Sequence, residues 1–134
     1  AYDKSPQCEI VFDDLEKFKW GNGVQLSIAH TVAIPFSYSE IPISYDMAQM
    51  LSESNEMLSE AMARVKNRFP NATSHVFQVD HLGAGLVEFV ENHKSNLIMM
   101  GDTGHGLVSK FLLGSVSRFV LRHAKCSVWV ARKR

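Results

Sequence analysis

Nothing in the chain approaches the roughly 18 consecutive apolar residues of a membrane-spanning helix, and no signal-like apolar segment is present. Cysteine is scarce. Cys8 and Cys126 stand far apart and in no metal-binding spacing, which fits a reducing, cytoplasmic compartment rather than a disulfide scaffold. Neither sign of charge is in surplus: 14 Lys and Arg balance 14 Asp and Glu. That balance argues against broad electrostatic binding to nucleic acid or to an anionic membrane, and leaves room for a local anion site. There is no P-loop with its Lys-Ser/Thr pair and no G-x-S-x-G elbow, so neither strong phosphoryl transfer nor serine hydrolysis is indicated. The six histidines, His30, His75, His81, His93, His105 and His123, form no H-x3-H or H-E-x-x-H pattern and read as surface or core residues.

What is present is an ordinary globular composition, 46% hydrophobic and 21% charged, over 134 residues. That length suits one domain, 1–134. Ser5-Pro6 reads as an N-cap followed by proline at the first helical position. Cys8, Val11, Phe12, Leu15 and Phe18 then recur at helical spacing until Gly21-Asn22-Gly23. The β-branched run 24–34 suits a buried strand, and Pro35 and Pro42 bracket a loop. A long helix is predicted from about Ser44 to Phe69, a strand over 74–79, a helix over 85–93 and a strand over 96–100. Ser115 starts another helix, and residues 126–131 form the last strand. Strands alternating with helices imply a parallel α/β sheet with right-handed crossovers.

One strand is missing at the front. Ala1-Tyr2-Asp3 reads as the last residues of a strand that should precede the first helix. In doubly wound sheets the first strand lies near the centre, beside the topological switch point. The expectation is a domain cut from a longer chain, with further residues upstream.

The stretch "GDTGHGLVSKFLLGS", residues 101–115, follows the apolar run 96–100. Ligands of open α/β sheets bind beyond the carboxyl ends of strands. Gly101 and Gly104 let backbone approach a ligand closely. Gly114-Ser115 opens a helix whose free N–H groups and positive dipole end favour an anion, with the Ser115 and Ser117 hydroxyls as further donors. The plainer alternative is that the glycines only shape a loop.

The C-terminal third resembles that of universal stress protein domains. Their hallmark G-x2-G-x9-G-[S/T] is matched position for position by Gly101, Gly104, Gly114 and Ser115. "AYDKS" and "SIAHTV" resemble the family's first strand–helix junction and second strand, so the similarity spans essentially the whole chain. The resemblance implies a doubly wound, Rossmann-like open sheet of strand order 3-2-1-4-5, its first strand truncated here. It also implies dimerisation through the last strand, and binding of ATP or a related adenine nucleotide. By position, it places Asp3 and Thr31 near the adenosine, and Met100 and Gly101 along the pocket. Gly104, Gly114, Ser115, Val116 and Ser117 would face phosphates or ribose. A carboxylate in the cradle, Asp102, is repulsive to phosphates unless Mg²⁺ bridges it. His105 and Lys110 are the nearby groups that would supply positive charge.

Other features have plainer readings beside functional ones. The Met47–Met62 stripe reads as core or as an adaptable partner face. Asp13, Asp14 and Glu16 lie on the polar side of a helix. Trp129, on the last strand, reads equally as core or as an interface aromatic. The reading is an adenine-nucleotide-binding regulatory module of the stress response, acting as a homodimer through the strand around Trp129 or through a partner. Slow ATP hydrolysis is its furthest catalytic extension. The alternative is a dimeric interaction domain with a vestigial cradle.

Overall fold

The computed structural model describes residues 1–34, 46–104 and 113–132. The elements run α1 (Pro6–Lys17), β1 (Ser27–Ala33), α2 (Met47–Val65), β2 (Thr73–Val79), α3 (Leu82–Asn92), β3 (Leu97–Gly101), α4 (Ser115–His123) and β4 (Ser127–Ala131). The α/β alternation predicted from the sequence is observed. The loop 35–42, the start of the predicted long helix at 44–45, His105 and Lys110 lie outside the described residues.

Local chemistry sets the helix ends. The Ser5 side chain accepts from the Cys8 N–H, and Pro6 fills a position whose own N–H would be unpaired. Asp46 caps α2 through the Gln49 N–H. The His81 ring caps α3 through the Ala84 N–H, so this helix begins three residues before the predicted Gly85. Histidine is not among the usual capping residues, which hid that start.

Both strand pairs are parallel. β1 pairs with β2 from Ser27↔Thr73 to Ala33↔Val79, and β3 with β4 from Leu97↔Ser127 to Gly101↔Ala131. Between the two pairs runs the amino-terminal segment. The Ala1 amino group donates to Met99 O at 2.7 Å, and the Tyr2 N–H donates to Ala29 O at 2.9 Å. Ala1 and Tyr2 therefore bond alternately to β3 and β1, as residues of a central parallel strand do.

Successive strand side chains point to opposite faces, and each face is covered. Tyr2, Ile28 and Ala131 join α1 and α2 in one apolar cluster centred on Phe12 and Leu58. Ala29, Ile98 and Met100 join α3 and α4 in the other, around Leu86 and Val120. Such two-sided burial explains why these strands read as apolar runs rather than alternations. In α3, Gly85 lies so close to β2 that a Cβ there would stand 2.3 Å from Val79 Cγ1.

Candidate functional site

The carboxyl ends of the central segment and of β3 bring Asp3, Gly101, Asp102, Gly104 and Gly114 together. Asp3 follows Tyr2 and precedes Lys4, whose φ of 59° is left-handed. Such a conformation costs a residue with a Cβ roughly 1–2 kcal/mol. The turn is held by Asp3 Oδ1, which accepts from the Ser5 N–H at 3.0 Å and from the Cys8 thiol at 3.0 Å. Burial first, and the Asp3 carboxylate second, push the Cys8 thiol above its ordinary value, so it stays a protonated donor. A Cβ at Gly104 would fall 2.7 Å from Asp3 Oδ2, which places the two residues in direct apposition.

The motif glycines are required for space. None of the described glycines has a positive φ. A Cβ at Gly101 would sit 2.6 Å from Gln7 Cβ, so its bare face receives the start of α1. Met100 is buried in the α3–α4 cluster. At Gly114 a Cβ would lie 3.1 Å from Asp102 O and 3.3 Å from Thr103 Cα, and its N–H donates to Asp102 O at 2.8 Å. The Ser117 hydroxyl is buried and donates to Gly101 O and Asp102 O, 3.0 Å from each. It ties α4 to the carboxyl end of β3. Ser115 is exposed and Val116 half-buried at the start of α4. Thr31 is half-buried in β1, two residues beyond the Ala29 carbonyl that receives the Tyr2 N–H.

α4 opens at Gly114 without a side-chain cap. Its first-turn N–H groups and dipole end are the elements of an anion site. The nearest carboxylate is already countered: Arg132 Nε stands 2.7 Å from Asp102 Oδ2, and the Thr103 hydroxyl donates to Oδ1 at 3.3 Å. Sequence reasoning missed Arg132, which lay in a charged tail. The signal was the register. Gly101 pairs with Ala131, so Asp102 and Arg132 each sit one residue past the paired strand ends.

Trp129 is exposed on β4, stacks edge-on against Phe18 at 5.1 Å and donates from Nε1 to Asp14 Oδ2 at 3.1 Å. The core alternative for this residue is thereby overturned. Phe18 is likewise exposed. In α2, Leu58, Ala61 and Val65 are buried while Met47, Met50 and Met57 are half-buried. Among the described residues, no group of three or more His, Cys, Asp or Glu could hold a metal ion. No described helix is long and apolar enough to cross a membrane.

The model of the universal stress protein family matches residues 1–132. The chain belongs to the universal stress protein family. A universal stress protein of Mycobacterium tuberculosis is 30% identical over 136 residues, covering 98% of this chain and 43% of that protein. A universal stress protein of Methanocaldococcus jannaschii is 46% identical over 48 residues, 36% of this chain and 28% of that protein. The chain thus spans less than half the length of these two relatives. A Staphylococcus epidermidis relative is 32% identical over 139 residues, covering 98% of this chain and 81% of its own length. Among solved structures, the protein MJ0577 aligns with a TM-score of 0.75 at 19% identity, covering 98% of this chain and 92% of that one. UspA from Lactobacillus plantarum aligns with a TM-score of 0.73 at 19% identity, covering 97% and 92%. These structures establish for the universal stress protein chain an α/β fold.

Proposed function

We propose that this universal stress protein domain binds an adenine nucleotide at the carboxyl edge of its sheet, with the phosphates at the start of α4. The observation that carries the reading is the uncapped helix at Gly114, set beside a carboxylate that Arg132 already neutralises. An anion there gains roughly 0.3–1 kcal/mol from the helix end alone, and more from direct N–H bonds. Gly104, Gly114, Ser115, Val116 and the Ser117 N–H would face phosphates or ribose. Asp3 and Thr31 would flank the adenosine, with Met100 and Gly101 lining the pocket. Both Asp102 oxygens are engaged, so Mg²⁺ would accompany ATP on its phosphates rather than bridge to Asp102. The domain would act as a cytoplasmic regulatory module, with binding rather than turnover as its chemistry. The sheet order 3-2-1-4-5 is part of this proposal, the pairs β2–β1 and β3–β4 forming its two halves.

A second reading rests on β4. The exposed Trp129 and Phe18 beside this strand suit a homodimer interface whether or not the cradle is filled. Thermal unfolding with ATP–Mg²⁺, AMP and cyclic nucleotides separates the two. A ligand at about a hundred times its Kd adds roughly 2.7 kcal/mol of stability. A shift lost in Gly114→Asp supports nucleotide binding. A folded dimer unmoved by every nucleotide supports the interaction domain.

A further inference from the structure

Two cations are held at the start of α4. Arg118, within the helix, folds its side chain back past the first turn, and its Nη2 donates to Leu113 O at 2.9 Å. Leu113 precedes the Gly114 cap, so this guanidinium lies at the amino-terminal end of its own helix. A cation there works against the helix dipole. The first turn has no acidic residue to offset it. Such an arrangement is unfavourable for a helix standing alone and suits one that receives an anion.

Arg132 reaches the same end from β4, and Asp102 is the link. The main-chain oxygen of Asp102 accepts the Gly114 N–H at 2.8 Å and the Ser117 hydroxyl at 3.0 Å, while its Oδ2 receives Arg132 Nε at 2.7 Å. One residue thus anchors both the helix start and the second guanidinium. The Asp102 side chain is 9% exposed and that of Arg132 47%, so the pair presents its cationic end to solvent. Arg132 binds Asp102 through Nε, and its Nη1 and Nη2 are further donors in the same rigid plane. A guanidinium already fixed by a carboxylate loses little freedom when it takes a second oxyanion.

A helix start holds one phosphate group through its N–H groups, and each arginine fork is a separate seat for phosphate oxygens. We infer that Arg118 and Arg132 form a clamp on a polyphosphate chain, with one phosphate on the first turn of α4 and its neighbours on the two guanidinium groups. The ligand class is then a nucleoside di- or triphosphate rather than a monophosphate or a free nucleoside. The inference rests on the nucleotide reading of this site, and adds to it two binding residues and a preference for a longer phosphate chain.

Calorimetric titration of ATP–Mg²⁺, AMP and adenosine tests it in the parent chain and in Arg118→Gln, Arg132→Gln and Asp102→Asn, each shown to be folded by circular dichroism at the temperature used. The parent is expected to bind ATP at least about tenfold more tightly than AMP. Each Arg→Gln change is expected to weaken ATP binding at least about tenfold and to leave adenosine within about twofold. Asp102→Asn breaks the same pair as Arg132→Gln but keeps the cation, so its ATP affinity is expected to hold or rise. The double variant Asp102→Asn, Arg132→Gln carries no stranded carboxylate, and should still bind ATP about tenfold more weakly than Asp102→Asn alone. Equal losses for ATP and adenosine, equal effects of Arg132→Gln and Asp102→Asn, or AMP bound as tightly as ATP overturn the clamp. A parent chain that binds no nucleotide overturns the nucleotide reading instead, and inorganic tripolyphosphate then tests the clamp alone. Saturable amide shifts at Ser115 and Val116 that vanish in both Arg→Gln variants support it, and no shift in the parent overturns it.

Discussion

Arg132 Nε stands 2.7 Å from Asp102 Oδ2, and this one pair joins the last strand to the loop that follows β3. The Asp102 side chain is nearly buried while Arg132 is half-exposed. Removing the cation leaves a desolvated carboxylate held by the Thr103 hydroxyl. Arg132→Met is therefore expected to lower stability by about 1–3 kcal/mol in urea unfolding. Asp102→Asn in the same chain should restore part of it. No loss in Arg132→Met would show that the pair contributes nothing.

Gly85→Ala tests packing against propensity. Alanine inside a helix is favoured over glycine by about 1 kcal/mol. Here the new Cβ would stand 2.3 Å from Val79 Cγ1 and 3.0 Å from Val79 Cβ, in a buried contact between α3 and β2. Overpacking of this kind costs about 1–3 kcal/mol. The net expected change is a loss of stability, and Val79→Ala in the same chain should relieve it. A gain in Gly85→Ala alone would refute the close approach.

The pH dependence has a definite sign at His75. Burial first, and the neighbouring His93 second, lower its pKa below 6.5. The folded state holds fewer protons on this ring than the unfolded chain, so its contribution is present above pH 6.5 and is lost as pH falls through the lower folded value. Unfolding midpoints measured from pH 7.5 to 5 should decline, and His75→Phe should flatten the decline. An identical slope in the variant would contradict this.

The two thiols should differ in reactivity. Cys8 is buried, donates to Asp3 and has a raised pKa, while Cys126 is half-buried. The thiolate is the reacting species. Mass spectrometry after brief iodoacetamide treatment should find Cys126 labelled well before Cys8, with equal labelling in denaturant.

Much of the fold was legible because its signals are local. Ser5-Pro6 marked a helix start, and the doubly buried strands announced themselves as apolar runs. Helix ends and long-range partners were less so. Capping of α3 by a histidine ring gives no usual start signal. The glycine positions of the site were legible, but their reason was not: Gly101 accommodates Gln7, a residue 94 positions away in the chain. The bonds of Ser117 to the end of β3 depend on tertiary packing, and the partnership of Asp102 with Arg132 on strand register, neither of which composition and spacing reveal.

The measurement that bears most directly on the nucleotide site is titration calorimetry of ATP–Mg²⁺ into the 134-residue chain and into Ser115→Glu. Ser115 is exposed at the start of α4, so a carboxylate there should leave the fold intact and stabilise the helix by roughly 0.3–1 kcal/mol through its dipole. The same carboxylate would repel phosphates at that helix end. The account predicts saturable binding of one nucleotide per chain, weakened at least tenfold in Ser115→Glu while its Tm holds or rises. No heat from the folded parent chain, or equal affinity in the two proteins, would contradict a phosphate site at the start of α4.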